Sequence, residues 1–177
     1  MWYLSHPFSF RHEALAIEKH LEETLKIDIY NPFYSSFEKK YIEEFDRQRL
    51  KLPEFRIKQL EKYGPDYVKQ IVTKDLEAID KADGVIGLVP AHFSIGTFME
   101  LWVAGITMKK PTYVLAYKKA EHHPWLQYTA TKVFPVDFNP KHSLWRSFKK
   151  VFGLGSKQDI PLGVLDFERW WPKVEES

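Results

Sequence analysis

The chain has no cysteine, which excludes disulfides, a thiol nucleophile and cysteine-ligated metals. It has little excess charge of either sign. There are 26 lysines and arginines against 24 aspartates and glutamates, a net charge of +2, too small to point to a nucleic acid polymer or a membrane as partner. No apolar run approaches the roughly 20 residues needed to span a bilayer. The first residues have a strand pattern, without the basic segment and long apolar stretch of a signal peptide. Internal repeats, low-complexity tracts and interdomain linkers are also lacking. What is present is a 177-residue chain, long enough for one domain with a proper core, expected to be soluble and cytoplasmic. Aromatic content is high at 16%, with six tryptophans. That suits either a pocket for a planar ligand or a dense subunit interface.

The organising stretch runs from Asp83 to Ala116. An apolar, β-branched run, D-G-V-I-G-L-V-P, reads as a buried strand, and Thr112 to Ala116 reads as another. Between them a loop passes into a helix at Gly96-Thr97. Strand, helix and strand at this spacing form a βαβ unit with parallel neighbours. The joining helix is apolar nearly all round, and Glu100 is its single ionised residue before Lys109. Two readings fit that carboxylate. Thr97-x-x-Glu100 matches a capping box, in which the glutamate bonds back to the backbone at the helix start. Alternatively, Glu100 faces the crevice beyond the carboxyl end of the strand, where open α/β sheets bind ligands.

Trp2 to Leu4 reads as the first strand, Arg11 to Lys26 as a helix with apolar Ala14, Ile17, Leu21 and Leu25, and Ile27 to Tyr30 as the second strand, closed by Asn31-Pro32. Residues 33–64 exceed a minimal βα pattern. Phe37, Tyr41 and Phe45 recur every four residues, and a second helical segment runs from Pro53 to Tyr63. This is a helical insertion after the second strand, either a lid or a solvated hairpin or dimer arm. Arg47, Arg49 and Arg56 read most simply as surface charges, though one of them could reach a phosphate.

The helix from Pro65 to Ala82 has its apolar stripe at Val68, Ile71, Val72, Leu76 and Ile79, and Asp75 falls on that stripe. It is either paired with a buried cation or placed for chemistry, because burial raises a carboxyl pKa towards the range of a general acid. Asp83 reads as a turn residue. His92 reads as a surface histidine, and Glu121-His122-His123 as a loop without a complete ligand set. Tyr3, near the end of the first strand, is either an aromatic core residue or part of the crevice. Val133 to Phe138 reads as the fifth strand and Ser143 to Phe152 as a basic amphipathic helix. The tail from Asp159 lacks a clear period, and its adjacent Trp170 and Trp171 suggest docking, for example on a partner subunit.

Two stretches carry a family resemblance. D-x-x-x-I-x-x-A-D-G-V-I-G-L-V followed by S-x-G-T-x-x-E-L-x-x-A-G-x-x-x-K-K-P-x-Y-V, from Asp75 to Val114, resembles the nucleoside 2-deoxyribosyltransferase superfamily. Trp2-Tyr3-Leu4-Ser5-His6-Pro7-Phe8 is similar to its first strand and loop, usually Y-L-A-G-P-F, with His6 standing where the family has glycine. The resemblance covers roughly residues 1–30 and 65–137. It implies a catalytic set of Glu100 as nucleophile, Asp75 contacting the nucleobase and Tyr3 hydrogen-bonded to the nucleophile, no cofactor and no metal, and a homodimer or higher homo-oligomer.

Within that superfamily, the free-nucleoside transferases tend to carry an acid in the loop before the nucleophile. The branch acting on nucleoside 5′-monophosphates resembles S-x-G-x-x-x-E. Here Ser94, Gly96 and Glu100 match, and no acid lies between Asp83 and Glu100. A hydroxyl backed by helix N-terminal N–H groups attracts a phosphate, although Ser94 could also simply cap the loop. In the first loop His6, Ser9 and Arg11 could add further donors to the phosphate, Arg11 being the charge-matched one, and the expected substrate-binding set is Ser94, Gly96, His6, Phe8 and Arg11.

The expected fold is α/β, a five-stranded parallel Rossmann-like (flavodoxin-like) sheet with helices on both faces, in one domain over residues 1–177. The expected function is cleavage or transfer of the N-glycosidic bond of a nucleoside 5′-monophosphate through a covalent glycosyl-enzyme. The alternatives are a deoxyribosyltransferase acting on free nucleosides, a non-catalytic nucleotide-binding module, and a nucleotide phosphate-ester hydrolase.

Overall fold

A computed structural model describes residues 1–35, 39–48, 51–91, 94–137 and 162–171. Phe37, Arg49, His92, Phe138, the helix expected from Ser143 to Phe152 and the remainder of the tail lie outside the described residues. Five strands, β1 (Trp2–Ser5), β2 (Ile29–Tyr30), β3 (Gly84–Val89), β4 (Thr112–Tyr117) and β5 (Lys132–Val136), form one sheet. Every pairing is parallel and the order is β2-β1-β3-β4-β5. The seven α-helices among the described residues are α1 (Arg11–Leu25), α2 (Lys39–Gln48), α3 (Leu52–Tyr63), α4 (Pro65–Lys81), α5 (Ile95–Trp102), α6 (Pro124–Thr129) and α7 (Leu162–Trp170). This is the doubly wound α/β arrangement expected from the alternation of strands and helices.

The period of two along each strand divides the core into two layers. Leu4, Ile86, Leu88, Tyr113 and Leu115 face α1 and α7, packing on Ala14, Ile17, Leu21, Val164 and Phe167. Tyr3, Val85, Val89, Val114 and Ala116 face the other way, towards Ala78 and Ile79 of α4 and Leu101 of α5. Strands buried on both faces read as unbroken apolar runs, which is why β3 and β4 were legible as strands.

Three expectations change. Val68 and Val72 of the α4 stripe are exposed, Val72 at 53%, and the buried positions of the helix are Ala78 and Ile79. The reason is length: a 17-residue helix runs about 25 Å and a six-residue strand about 20 Å, so the first turns of α4 overhang the sheet. The helix joining β3 to β4 is half covered. Thr97, Leu101 and Ala104 face inward, whereas Met99 and Ile95 are exposed, Ile95 at 84%. It begins at Ile95 and continues beyond Trp102 as a wider π turn, Val103–Thr107. The Trp170-Trp171 pair docks on the chain's own sheet. Residues 162–170 form α7, and Trp171 lies edge-on to Trp2 at 4.6 Å and to Tyr113 at 5.6 Å, almost fully buried.

The insertion after β2 is helical, made of α2 and α3. It ends at Gly64, whose φ of 75° lets the chain turn directly from α3 into α4. Phe45 and Phe55 pack edge to face at 5.0 Å, and Phe45 meets Phe8 at 4.9 Å, so the insertion is anchored on the loop after β1.

Candidate active site

From β1 the chain moves outward to β2, and then crosses back to β3 on the other side of β1. The strand order reverses there, and the carboxyl ends of β1 and β3 open the crevice in which such sheets bind ligands. Ser5 ends β1 and Val89 ends β3.

Glu100 reaches this edge from α5. The N-cap of α5 is Ser94, in extended conformation (φ −110°, ψ 129°). Glu100 therefore stands in the second turn and Thr97 inside the first, so the capping box does not form. The Ser5 hydroxyl donates to Glu100 Oε2 at 2.5 Å, and also lies 3.4 Å from the Thr97 carbonyl. Strand periodicity brings this about, because Ser5 is two residues from Tyr3 and so faces α4 and α5. Across the register Ser5 pairs with Gly87. A Cβ on Gly87 would sit 2.6 Å from Leu101 Cδ2, so the missing side chain lets α5 settle close against the sheet.

Asp75 enters from α4, partly buried. Burial pushes its carboxyl up to about 6, and the nearby Tyr3 hydroxyl pulls the other way, towards the carboxylate. Asp75 Oδ1 has no hydrogen-bond partner among the described residues, and neither has the buried Thr97 Oγ1. Tyr3 is fully buried and stacks on Tyr30 at 5.9 Å. Its effect on Asp75 gives it a polar task beside its place in the core.

The first loop turns inward. His6 is buried, with Nε2 3.0 Å from Asn31 Oδ1 and Nδ1 3.1 Å from the Pro7 carbonyl. Burial lowers its pKa to about 4, against the two acceptors it faces, and a neutral ring can donate to only one of them at a time. Asn31 in turn donates to Glu18 Oε2 at 2.6 Å, and burial pushes Glu18 up to about 7. Phe8 is buried beneath the Arg11 guanidinium, which lies 4.6 Å from its ring centroid. Arg11 donates from one terminal nitrogen to the Phe8 carbonyl and from the other to Asp46 of α2. Arg11 is thus pinned between the loop and the insertion, its charge answered by Asp46. Ser9 is exposed.

Ser94 is half-buried and makes no side-chain capping bond, and Gly96 is exposed in the first turn of α5. Asp83 pairs with the amino group of Met1 at 2.5 Å, which holds it below the usual carboxylate range. His122 pairs with Glu121 at 3.0 Å on the surface. Among the described residues no three His, Asp or Glu side chains are grouped to hold a metal.

The structure thus brings Glu100 to the end of β1 and sets Tyr3 near Asp75, while His6, Phe8 and Arg11 serve the interior of the first loop. Sequence reasoning missed Ser5, Asn31, Glu18 and Asp46. The available signal for Ser5 was a hydroxyl directly after the apolar run of the first strand. No family model matches this chain, and no curated protein matches it either.

Proposed function

We propose that the protein cleaves or transfers the N-glycosidic bond of a nucleoside 5′-monophosphate through a covalent intermediate on Glu100. The observation that carries this reading is the placement of Glu100 at the end of β1, freed from the capping role and held by Ser5. A carboxylate there can attack the anomeric carbon as the bond to the base breaks. Asp75, its carboxyl pushed up to about 6 by burial, is placed in the range of a general acid and can pass its proton to the departing nitrogen. The resulting Asp75 carboxylate then takes a proton from water, whose oxygen attacks the same carbon and restores the Glu100 carboxylate. A second base in place of water gives transfer. The unpartnered Asp75 Oδ1 and Thr97 Oγ1 suit a polar ligand that supplies their missing hydrogen bonds.

The phosphate would sit against Ser94 and the first turn of α5. Arg11, engaged by Asp46, favours the alternative of a free-nucleoside transferase, because the charge-matched donor of the first loop is already neutralised. Exposed apolar residues on neighbouring helices support a homo-oligomer: Leu60 and Tyr63 on α3, Val68 and Val72 on α4, and Ile95 and Met99 on α5. Light scattering of the purified protein tests that part.

The activity is tested by incubating the protein with nucleosides and their 5′-monophosphates and following free base, with kcat/KM compared between parent and Ser94→Ala. The proposal requires base release, a preference for the monophosphate, and a smaller preference in Ser94→Ala. Release of phosphate alone would indicate an esterase, and tight binding without product a sensing module.

A further inference from the structure

Ser5 is fully buried and ends β1 at the crevice. Its single proton has two acceptors, Glu100 Oε2 at 2.5 Å and the Thr97 carbonyl at 3.4 Å. The closer acceptor wins when it carries charge, because hydrogen bonds to ionised groups are shorter and about twice as strong. We infer that Ser5 is a positioning residue for Glu100, its hydroxyl fixing Oε2 and with it the plane in which the carboxylate meets a ligand. The inference rests on the reading of Glu100 as nucleophile and adds the group that orients it.

Three features make the arrangement selective. The hydroxyl is fully buried, so water does not compete for its proton, whereas the Glu100 carboxylate is only partly buried and stays open to a ligand. Gly87, across the register from Ser5, keeps α5 close enough for the contact. A hydroxyl also rotates freely, so its proton can swing to the Thr97 carbonyl once Glu100 is protonated or esterified. Ser5 therefore favours the charged carboxylate over its neutral forms. That is the form that attacks, and the form released when the glycosyl ester breaks.

Of the titratable groups on β1, β3, α4 and α6, which pack against α5, those not exposed are Tyr3, Tyr67 and Asp75, and Tyr128 of α6 is exposed. Glu100 must therefore be titrated directly. With glutamate carboxyl carbons labelled in carbon-13 and the Glu100 signal assigned by its loss in Glu100→Gln, the parent, Ser5→Ala and Ser5→Thr are titrated by NMR without substrate. The expected result is a Glu100 titration displaced to higher pH by about one unit in Ser5→Ala, a tenfold change in proton affinity. Ser5→Thr, which keeps the hydroxyl, returns it to the parent position. In turnover, Ser5→Ala lowers kcat about tenfold while KM stays within about twofold, the pattern of lost positioning. An unchanged Glu100 titration in Ser5→Ala overturns the inference. Failure of the underlying reading shows separately, as base release by Glu100→Gln at the parent rate.

Discussion

Two charged side chains stand at the carboxyl edge of the sheet and are held in opposite ways. Glu100 receives a hydrogen bond from a neutral hydroxyl, Ser5. Arg11 gives one to a charged carboxylate, Asp46, and another to the Phe8 carbonyl. A hydroxyl fixes the position of a charge without cancelling it, whereas an opposite charge cancels it. The first arrangement suits a group kept for chemistry. The second suits a pin between two pieces of structure, here the first loop and the insertion. The same residue types would look alike on a list of polar residues near a crevice, and their partners separate them.

The largest effect that sharpens this contrast is on rate. Glu100→Gln is expected to reduce base release by several orders of magnitude, because the amide cannot act as the nucleophile. Thermal stability should change little, with less than about 1 kcal/mol lost in a denaturant melt, since Glu100 is not a helix cap. Next comes the Arg11 side of the comparison. Asp46→Ala leaves a buried guanidinium without its counter-charge, and the half-exposed position of Asp46 moderates the cost to about 2 kcal/mol. A urea melt should show most of that loss recovered in the double variant Arg11→Met/Asp46→Ala. A neutral Asp46→Ala would mean that Arg11 is not a pin.

A smaller effect comes from Asp75. Its carboxyl holds a proton up to about pH 6 in the folded chain and releases it near 3.8 when unfolded. Between these values the folded state binds more protons, so stability falls as pH rises, and the whole penalty is present above pH 6. Asp75→Asn should therefore be more stable than the parent by about 1 kcal/mol at pH 8, after allowance for solvent screening. The two should converge below pH 4, while base release slows. The smallest expected effect has the same sign. Glu18, raised to about 7 and accepting from Asn31, costs stability as pH rises from about 4.5 through 7. Glu18→Gln keeps an acceptor for Asn31 and should gain up to about 1 kcal/mol at pH 8 and nothing at pH 4.

The sheet was readable in the residues because β3 and β4 are buried on both faces and so spell out unbroken apolar runs. Asp75 was readable because a charge on an apolar stripe is conspicuous. The stripe itself misled at Val68 and Val72, because periodicity reports a face and not how far the sheet extends beneath it. Glu100 could not be resolved from sequence, since Thr97-x-x-Glu100 fits a cap, and only the position of Ser94 as N-cap separates the readings. The roles of Arg11 and Ser5 depend on contacts across 35 and 95 positions of chain, beyond the reach of any local spacing. Trp171 escaped for a similar reason: its partners Trp2 and Tyr113 come from distant strands.

The central claim is that Glu100 becomes covalently glycosylated. Acid quenching of the protein during turnover of a nucleoside 5′-monophosphate, followed by proteolysis and mass spectrometry, tests it most directly. The account predicts a sugar phosphate added to the peptide that carries Glu100, absent when Glu100→Gln is treated in the same way. Base release with no added mass on that peptide, or with the sugar on another residue, would contradict it.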